Sequence, residues 1–246
     1  MKVGCILLTC GRPELTLKII NHNFWNSHKD ADVYLVDNGS TEAEHQAVLN
    51  AYHFKAVHRY EKNQGIAAAI NKGIQLALKD ECEAIVTLAN DILMPDGWLA
   101  KMVEYAGKIE NTGMVGIHCV EGLEPVNELG VHPAFTAFGN VLIPKAAIEK
   151  IGYFSTAFDP YGMQDADYAF RLNNTGFVNY YVPSLKSEHI GHDMGNGSEY
   201  RKMKDESLSK AAGIYNELTR RYTASGEYYV PFNDRNDIIS KTKRKK

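Results

Sequence analysis

Over the first 95 residues, apolar runs alternate with segments in which apolar positions recur every three or four residues. "VGCILLTC" is continuously apolar, as a strand covered on both faces is. Pro13 then opens a helical segment, "PELTLKIINHNFW", whose Thr16, Ile20 and Phe24 share one stripe. "DVYLV" predicts a second strand. Thr41 and Glu44 have capping-box spacing for the helix that follows "NGST". "FKAVHRYE" gives a weaker third strand. "GIAAAINKGIQLALK" gives a helix with Ile66, Ile70, Ile74 and Leu78 on one face, and "AIVTL" a fourth strand.

Strand and helix in alternation predict an α/β fold with a mostly parallel sheet flanked by helices. Ligands of such sheets bind beyond the carboxyl ends of the strands. Those ends carry Thr9 and Arg12, Asp37 and Asn38, Asn63, and Asn90 and Asp91. The second half predicts a helix over "PDGWLAKMVEYAGKI", strands over "GMVGIHCV", "AFTAFGNVLIP" and "FVNYYVP", and a short helix "KAAIEKIG" stopped by Gly152. After the glycine-rich "HIGHDMGNGS" comes a long helix, "EYRKMKDESLSKAAGIYNELTRRY". The last residues, 223–246, lack a period and are expected to be loosely ordered. The chain thus divides into a main domain over 1–198, with halves 1–95 and 96–198, and a helical extension with a basic tail over 199–246.

Composition bounds the partners. The 246 residues are 44% hydrophobic with net charge −3, which suits a globular chain and speaks against a dedicated nucleic-acid binder. No apolar run is long enough to span a bilayer, and Arg12 and Pro13 break the N-terminal one too early for a signal peptide. Cys5, Cys10, Cys82 and Cys119 lack metal-type spacing, so they are expected to be buried reduced thiols in a cytoplasmic protein. In the tail, "KTKRKK" has five basic residues in six. It is either a solvated end or a contact for anionic lipid or nucleic acid. Tyr228, Tyr229 and Phe232 either stack on a ligand ring or pack the tail onto the core.

The candidate chemistry lies at the strand exits. Asp91 follows an apolar strand, where a carboxylate can ligate a hard divalent cation together with substrate phosphate oxygens. The alternative is a helix cap, for which Asp96 is better placed. No Walker lysine motif and no G-x-G-x-x-G occur. His189 and His192 lie near Asp193, a combination suited to manganese. In "YGMQDADYAFRL", helical residues two apart point about 200° apart, so Asp165 and Asp167 serve different ends. Asp167 is spaced to pair with Arg171. Asp165 is either a helix cap or a free carboxylate able to act as a general base.

Six blocks in order carry a resemblance: "ILLTCGRPELTLKII", "VDNGST", "NQGIAAAINKGI", "LANDILMPDGWL", "FGNVLIPKAAIEKIGYFSTAFDPYGMQDADYAFRLNNTGF" and "SEHIGHD". The chain resembles family 2 glycosyltransferases of the GT-A fold over roughly residues 2–195, and "AAAINKG" is most similar to the rhamnosyltransferase-like members. The resemblance implies a Rossmann-like mixed sheet and inverting transfer from a nucleotide diphosphate-sugar, a UDP- or dTDP-sugar favoured, to a hydroxyl acceptor on a glycan or lipid-linked saccharide. It implies Mn²⁺ or Mg²⁺ on Asp91, with His189 as auxiliary ligand or diphosphate contact. Asp165 becomes the base, and Thr9, Arg12, Asp37, Asn38, Asn63, Gly65 and Asn90 become the nucleotide-sugar contacts. Ala89 and Asn90 stand where the family often has an acid, Asn38 where it often has a second aspartate, and Gln164 where glutamate is common. A sugar-1-phosphate nucleotidyltransferase and a non-catalytic nucleotide-sugar binder are the rival readings.

Overall fold

A computed structural model describes residues 1–25, 31–118, 128, 130–137, 139–191 and 199–232. Cys119, His192, Asp193 and the "KTKRKK" segment lie outside them. The first half follows the predicted alternation. Strands β1 (Val3–Thr9), β2 (Asp32–Asn38), β3 (Ala56–Tyr60) and β4 (Ala84–Leu88) alternate with helices α1 (Pro13–Ile20), α2 (Glu42–Leu49) and α3 (Ile66–Lys79). β1 pairs in parallel with β2 and β4, and β2 with β3, so four carboxyl ends share one edge. Two of these helices start for a local reason. Pro13 opens α1, and Thr41 and Glu44 form a reciprocal capping box on α2. Such a cap contributes about 1 kcal/mol.

The second half adds β5 (Ile92–Leu93), α4 (Trp98–Lys108), β6 (Thr112–His118), β7 (His132–Ala134), β8 (Val141–Pro144), α5 (Lys145–Ile151), α6 (Gln164–Asn173), β9 (Val178–Lys186), β10 (Glu188–His189) and α7 (Glu199–Ser225). β8 lies antiparallel between β4 and β6 and joins both halves in one sheet, ordered β3-β2-β1-β4-β8-β6-β9-β7. "AFTAFGNVLIP" is not one strand: only Ala134 lies in β7, which pairs with β9, and only Val141–Pro144 form β8, which pairs with β4 and β6. Helix α4 starts after Gly97, which has left-handed backbone, so Asp96 does not cap it.

Apolar side chains fill both faces of the sheet. On one, Ile19, Phe24, Trp98 and Met102 pack over Leu7, Leu35 and Val86. On the other, Ile70, Ile74, Ile148 and Leu172 pack over Ile6, Val36 and Ile143. Two expectations change. Cys5 and Cys82 are buried, but Cys10 is exposed in the turn after β1. Residues 226–232 are docked rather than loose. The backbone of Val230 exchanges hydrogen bonds with Ile151 and Tyr153, and its side chain is buried. Tyr228 packs among Phe158, Ala211, Leu218 and Tyr222, and Phe232 meets Tyr153 edge-on, whereas Tyr229 is exposed.

The Asp167–Arg171 pair forms at 2.9 Å with both side chains fully buried. Arg171 also donates to the carbonyls of Ile151, Tyr153 and Tyr228, which fastens α5 and the C-terminal segment to α6. Removing Asp167 strands a buried guanidinium. Asp167→Ala is expected to cost about 3–5 kcal/mol, measured by urea unfolding, and an unchanged midpoint would refute the assignment.

Candidate active site

The site is built where the strand exits meet the β5–β10 pair. β4 ends at Leu88, and three asparagines set the path that follows. Asn140 accepts from the Ala89 amide (2.8 Å). Asn23 donates to the Ile92 carbonyl (3.1 Å) and accepts from the Met94 amide (2.9 Å). Asn90 donates to the Thr16 hydroxyl (3.0 Å). Short polar side chains thus satisfy backbone groups that leave the sheet ladder.

Asp91 stands in the middle of this fixed stretch with its side chain 14% exposed. Arg12 donates to its Oδ2 at 3.2 Å. His189 Nε2 lies 3.7 Å from Oδ1, brought there because β10 pairs antiparallel with β5 and sets His189 opposite Ile92. The Ile190 amide donates to the Asp91 carbonyl (2.8 Å). Gly191 then passes so close that a Cβ there would lie 2.5 Å from Asp91 Oδ2. Only glycine lets this backbone lie against the carboxylate.

Asp91 and His189 fit a divalent cation. Their 3.7 Å separation is long for a hydrogen bond, but two metal–ligand bonds of about 2.1 Å each can bridge it. Among the described residues no three His, Cys, Asp or Glu side chains converge as a closed cage. Such a pair leaves positions for substrate oxygens, as hard cations in phosphate sites require.

The other expected contacts divide into those that face the cleft and those that brace it. Thr9 is buried, its hydroxyl sharing a hydrogen bond with Thr16 (3.1 Å). Asp37 is wholly buried, accepting from the Ser40 amide (2.9 Å) and meeting His45 Nδ1 at 2.6 Å. Its carboxylate holds the turn after β2 from behind. Asn38 donates to Asn63 Oδ1 and the Gly65 carbonyl and accepts from the Gln64 amide, which fixes the Asn63–Gly65 turn. Asn63 in turn donates to Cys10 Sγ at 3.6 Å, closing the wall between the first and third strand exits.

Asp159 was not foreseen. Its carboxylate accepts from the amides of Ala67 (2.8 Å) and Ala68 (3.2 Å) at the head of α3. It lies so close to Gly65, whose φ is 99°, that a Cβ there would come within 2.2 Å of Asp159 Cγ. Ser40, Arg59 and Asn140 were also not expected. Arg59 donates to the Ser40 carbonyl (3.0 Å), and the Ser40 hydroxyl accepts from the Gly11 amide (2.9 Å). None sits in a periodic pattern, and only the Asp-Pro dipeptide after Phe158 marks a turn.

Asp165 is the second residue of α6. Met163 occupies the cap position without a side-chain hydrogen bond, and Gln164 accepts from the Gly162 amide (3.0 Å). The Asp165 carboxylate accepts from the Ala166 amide at 2.9 Å. Burial pushes its carboxyl above the ordinary range against that hydrogen bond. The strand of chain leading to it, Asp159 and Pro160, abuts the Asn63–Gly65 turn, since the Ile66 amide donates to the Pro160 carbonyl (3.3 Å).

Burial also raises the Asp159 carboxyl, from 3.8 to about 7, despite its two amide donors. The neutral acid is thus favoured in the folded chain more than in the unfolded one. This contribution to stability is full below pH 3.8 and is lost as pH rises through about 7. The unfolding free energy is expected to fall over that interval, and Asp159→Asn to flatten the fall. Denaturant titrations at several pH values measure both, and equal slopes in the two proteins would exclude the effect.

The family model described as Glycosyl transferase family 2 matches residues 5–158, well over half the chain and ending before Asp165. No curated protein matches significantly. Among solved structures, the mannosyltransferase PcManGT from Pyrobaculum calidifontis, determined with GDP-Man and Mn²⁺, superposes with TM-score 0.64 at 19% identity, covering 79% of this chain and 58% of that one. GalNAc-T7, determined with UDP, GalNAc and Mn²⁺, superposes with TM-score 0.61 at 14% identity, covering 77% and 44%. This chain therefore spans about half the length of these structural relatives. Sheet order, strand-exit site and family match agree: the chain belongs to glycosyl transferase family 2, a family of enzymes, and has the GT-A fold.

Proposed function

We propose that the chain is an inverting, metal-dependent glycosyltransferase that moves a sugar from a nucleotide diphosphate-sugar to a hydroxyl acceptor. The observation that carries this is the Asp91–His189 pair at 3.7 Å, on the carboxyl edge of a sheet whose sequence matches the family. Residues 1–95 form the donor half, 96–198 the acceptor half, and 199–246 the C-terminal extension. Asn38, Asn63 and Gly65 form the nucleotide wall, with Thr9, Asp37 and Asn90 bracing it from within. A UDP- or dTDP-sugar is the favoured donor, in keeping with the rhamnosyltransferase-like "AAAINKG". The acceptor is a glycan or lipid-linked saccharide met in the cytoplasm, and the basic segment 241–246 offers charge to an anionic membrane surface.

Asp91 and His189 would hold a divalent cation, Mn²⁺ or Mg²⁺, which would supply positive charge to the leaving diphosphate. Arg12 adds a second cationic group at the same place. The fixed exit of β4 keeps Asp91 in position before substrate arrives, which avoids reorganisation during the reaction. Asp165 takes the proton from the acceptor hydroxyl as its oxygen bonds to the anomeric carbon and the diphosphate departs from the opposite face. A carboxyl raised by burial is better matched to that task near neutral pH. Among the described residues no helix is long and apolar enough to cross a membrane.

A thermal-shift panel of nucleotide-sugars with and without Mn²⁺ identifies the donor, and slow release of nucleoside diphosphate without acceptor separates an enzyme from a binding relative. Asp165→Asn is expected to lower kcat by about 100-fold or more while donor affinity holds. Full activity in that variant would remove Asp165 from the role. The wild-type rate is expected to rise with pH through the raised carboxyl pKa. Asp91→Ala is expected to abolish Mn²⁺-dependent donor binding, and unchanged calorimetric affinity would refute the cation site.

A further inference from the structure

The contact between Arg12 and Asp91 places a guanidinium on the carboxylate that a divalent cation would need. Arg12 engages Oδ2, the oxygen beside Gly191, and His189 lies toward Oδ1. A divalent ion on Asp91 would meet a guanidinium already in hydrogen-bond contact, and the two charges repel at that distance. The backbone of Arg12 is fixed. It has left-handed geometry (φ 52°), and its carbonyl accepts from the Thr16 amide (3.2 Å) and hydroxyl (3.3 Å). The neighbouring Gly11 amide is held by Ser40. Its side chain, by contrast, is 34% exposed, so the guanidinium can turn while the backbone stays. A diphosphate is the better partner for it, because guanidinium binds phosphate oxygens through two parallel hydrogen bonds.

We infer that Arg12 pairs with Asp91 until the donor binds and then transfers to the donor diphosphate, so that cation and nucleotide load together. The inference rests on Asp91 being the cation ligand. It gives the site an order: a cation alone must displace Arg12, whereas a cation arriving with nucleotide finds Asp91 released. It also explains an arginine at a left-handed position that would suit glycine. The side chain is held to the site at a backbone cost.

The test titrates Mn²⁺ alone into the full chain and follows free Mn²⁺ by electron paramagnetic resonance. Arg12→Gln and Arg12→Gly are expected to bind Mn²⁺ about fivefold more tightly than the unaltered chain, and Arg12→Lys to stay near it. Arg12→Gly suits the backbone at φ 52°, so it guards against misfolding. A merely structural role for Arg12 would weaken Mn²⁺ binding instead. Titrations are then repeated with whichever of UDP, dTDP and GDP gives the largest thermal shift. That nucleotide is expected to raise Mn²⁺ affinity more in the unaltered chain than in Arg12→Gln. If neither Arg12→Gln nor Arg12→Gly binds Mn²⁺ more tightly while Asp91→Asn abolishes binding, the interlock falls and the cation site stands. An equal nucleotide effect in the unaltered chain and Arg12→Gln overturns the transfer. If Asp91→Asn binds Mn²⁺ normally, the cation site and the interlock fall together.

Discussion

The carboxylate of Asp159 on the head of α3 is the joint on which the two halves depend. It satisfies two amides that a helix start leaves without partners. It reaches them only because Gly65 has no side chain. Gly65 is in turn held by Asn38 at the exit of β2. One chain of contacts therefore runs from the second strand, through the Asn63–Gly65 turn, to the segment that opens α6. The proposed donor wall and the proposed base are built on opposite sides of this joint.

The first half was legible because local rules and global fold agree there. Continuous apolar runs became buried parallel strands, and the Thr41–Glu44 spacing became a capping box. The second half was less so, because its outcome is set by distant partners. "AFTAFGNVLIP" has strand composition throughout, yet pairing with β9 keeps only Ala134, at the end of β7, and pairing with β4 keeps only 141–144. Residues 226–232 show no period because they dock by backbone bonds at Val230 and by scattered aromatic contacts, which no repeat encodes.

The site was legible where spacing carries the information. Asp167 and Arg171 are four apart and meet, and Asp91 follows an apolar strand and lies at its exit. Polarity at a strand exit did not reveal direction. Thr9, Asp37 and Asn90 turn inward and spend their hydrogen bonds on Thr16, Ser40 and His45. Asp159 was invisible for a related reason. Its partners are more than 90 residues earlier in the chain, and its environment exists only after both halves have met.

The docking of Val230 at Gly152 bears on the order in which the polypeptide is made. Gly152 receives the Val230 carbonyl where any side chain would collide, and Arg171 has one of its acceptors at Tyr228. The four parallel strands and three helices of the N-terminal portion are all present once residue 88 has emerged from the ribosome. The core around α5 and α6 must instead wait, with a charged group not yet fully paired, until residues 228 and 230 have been synthesised.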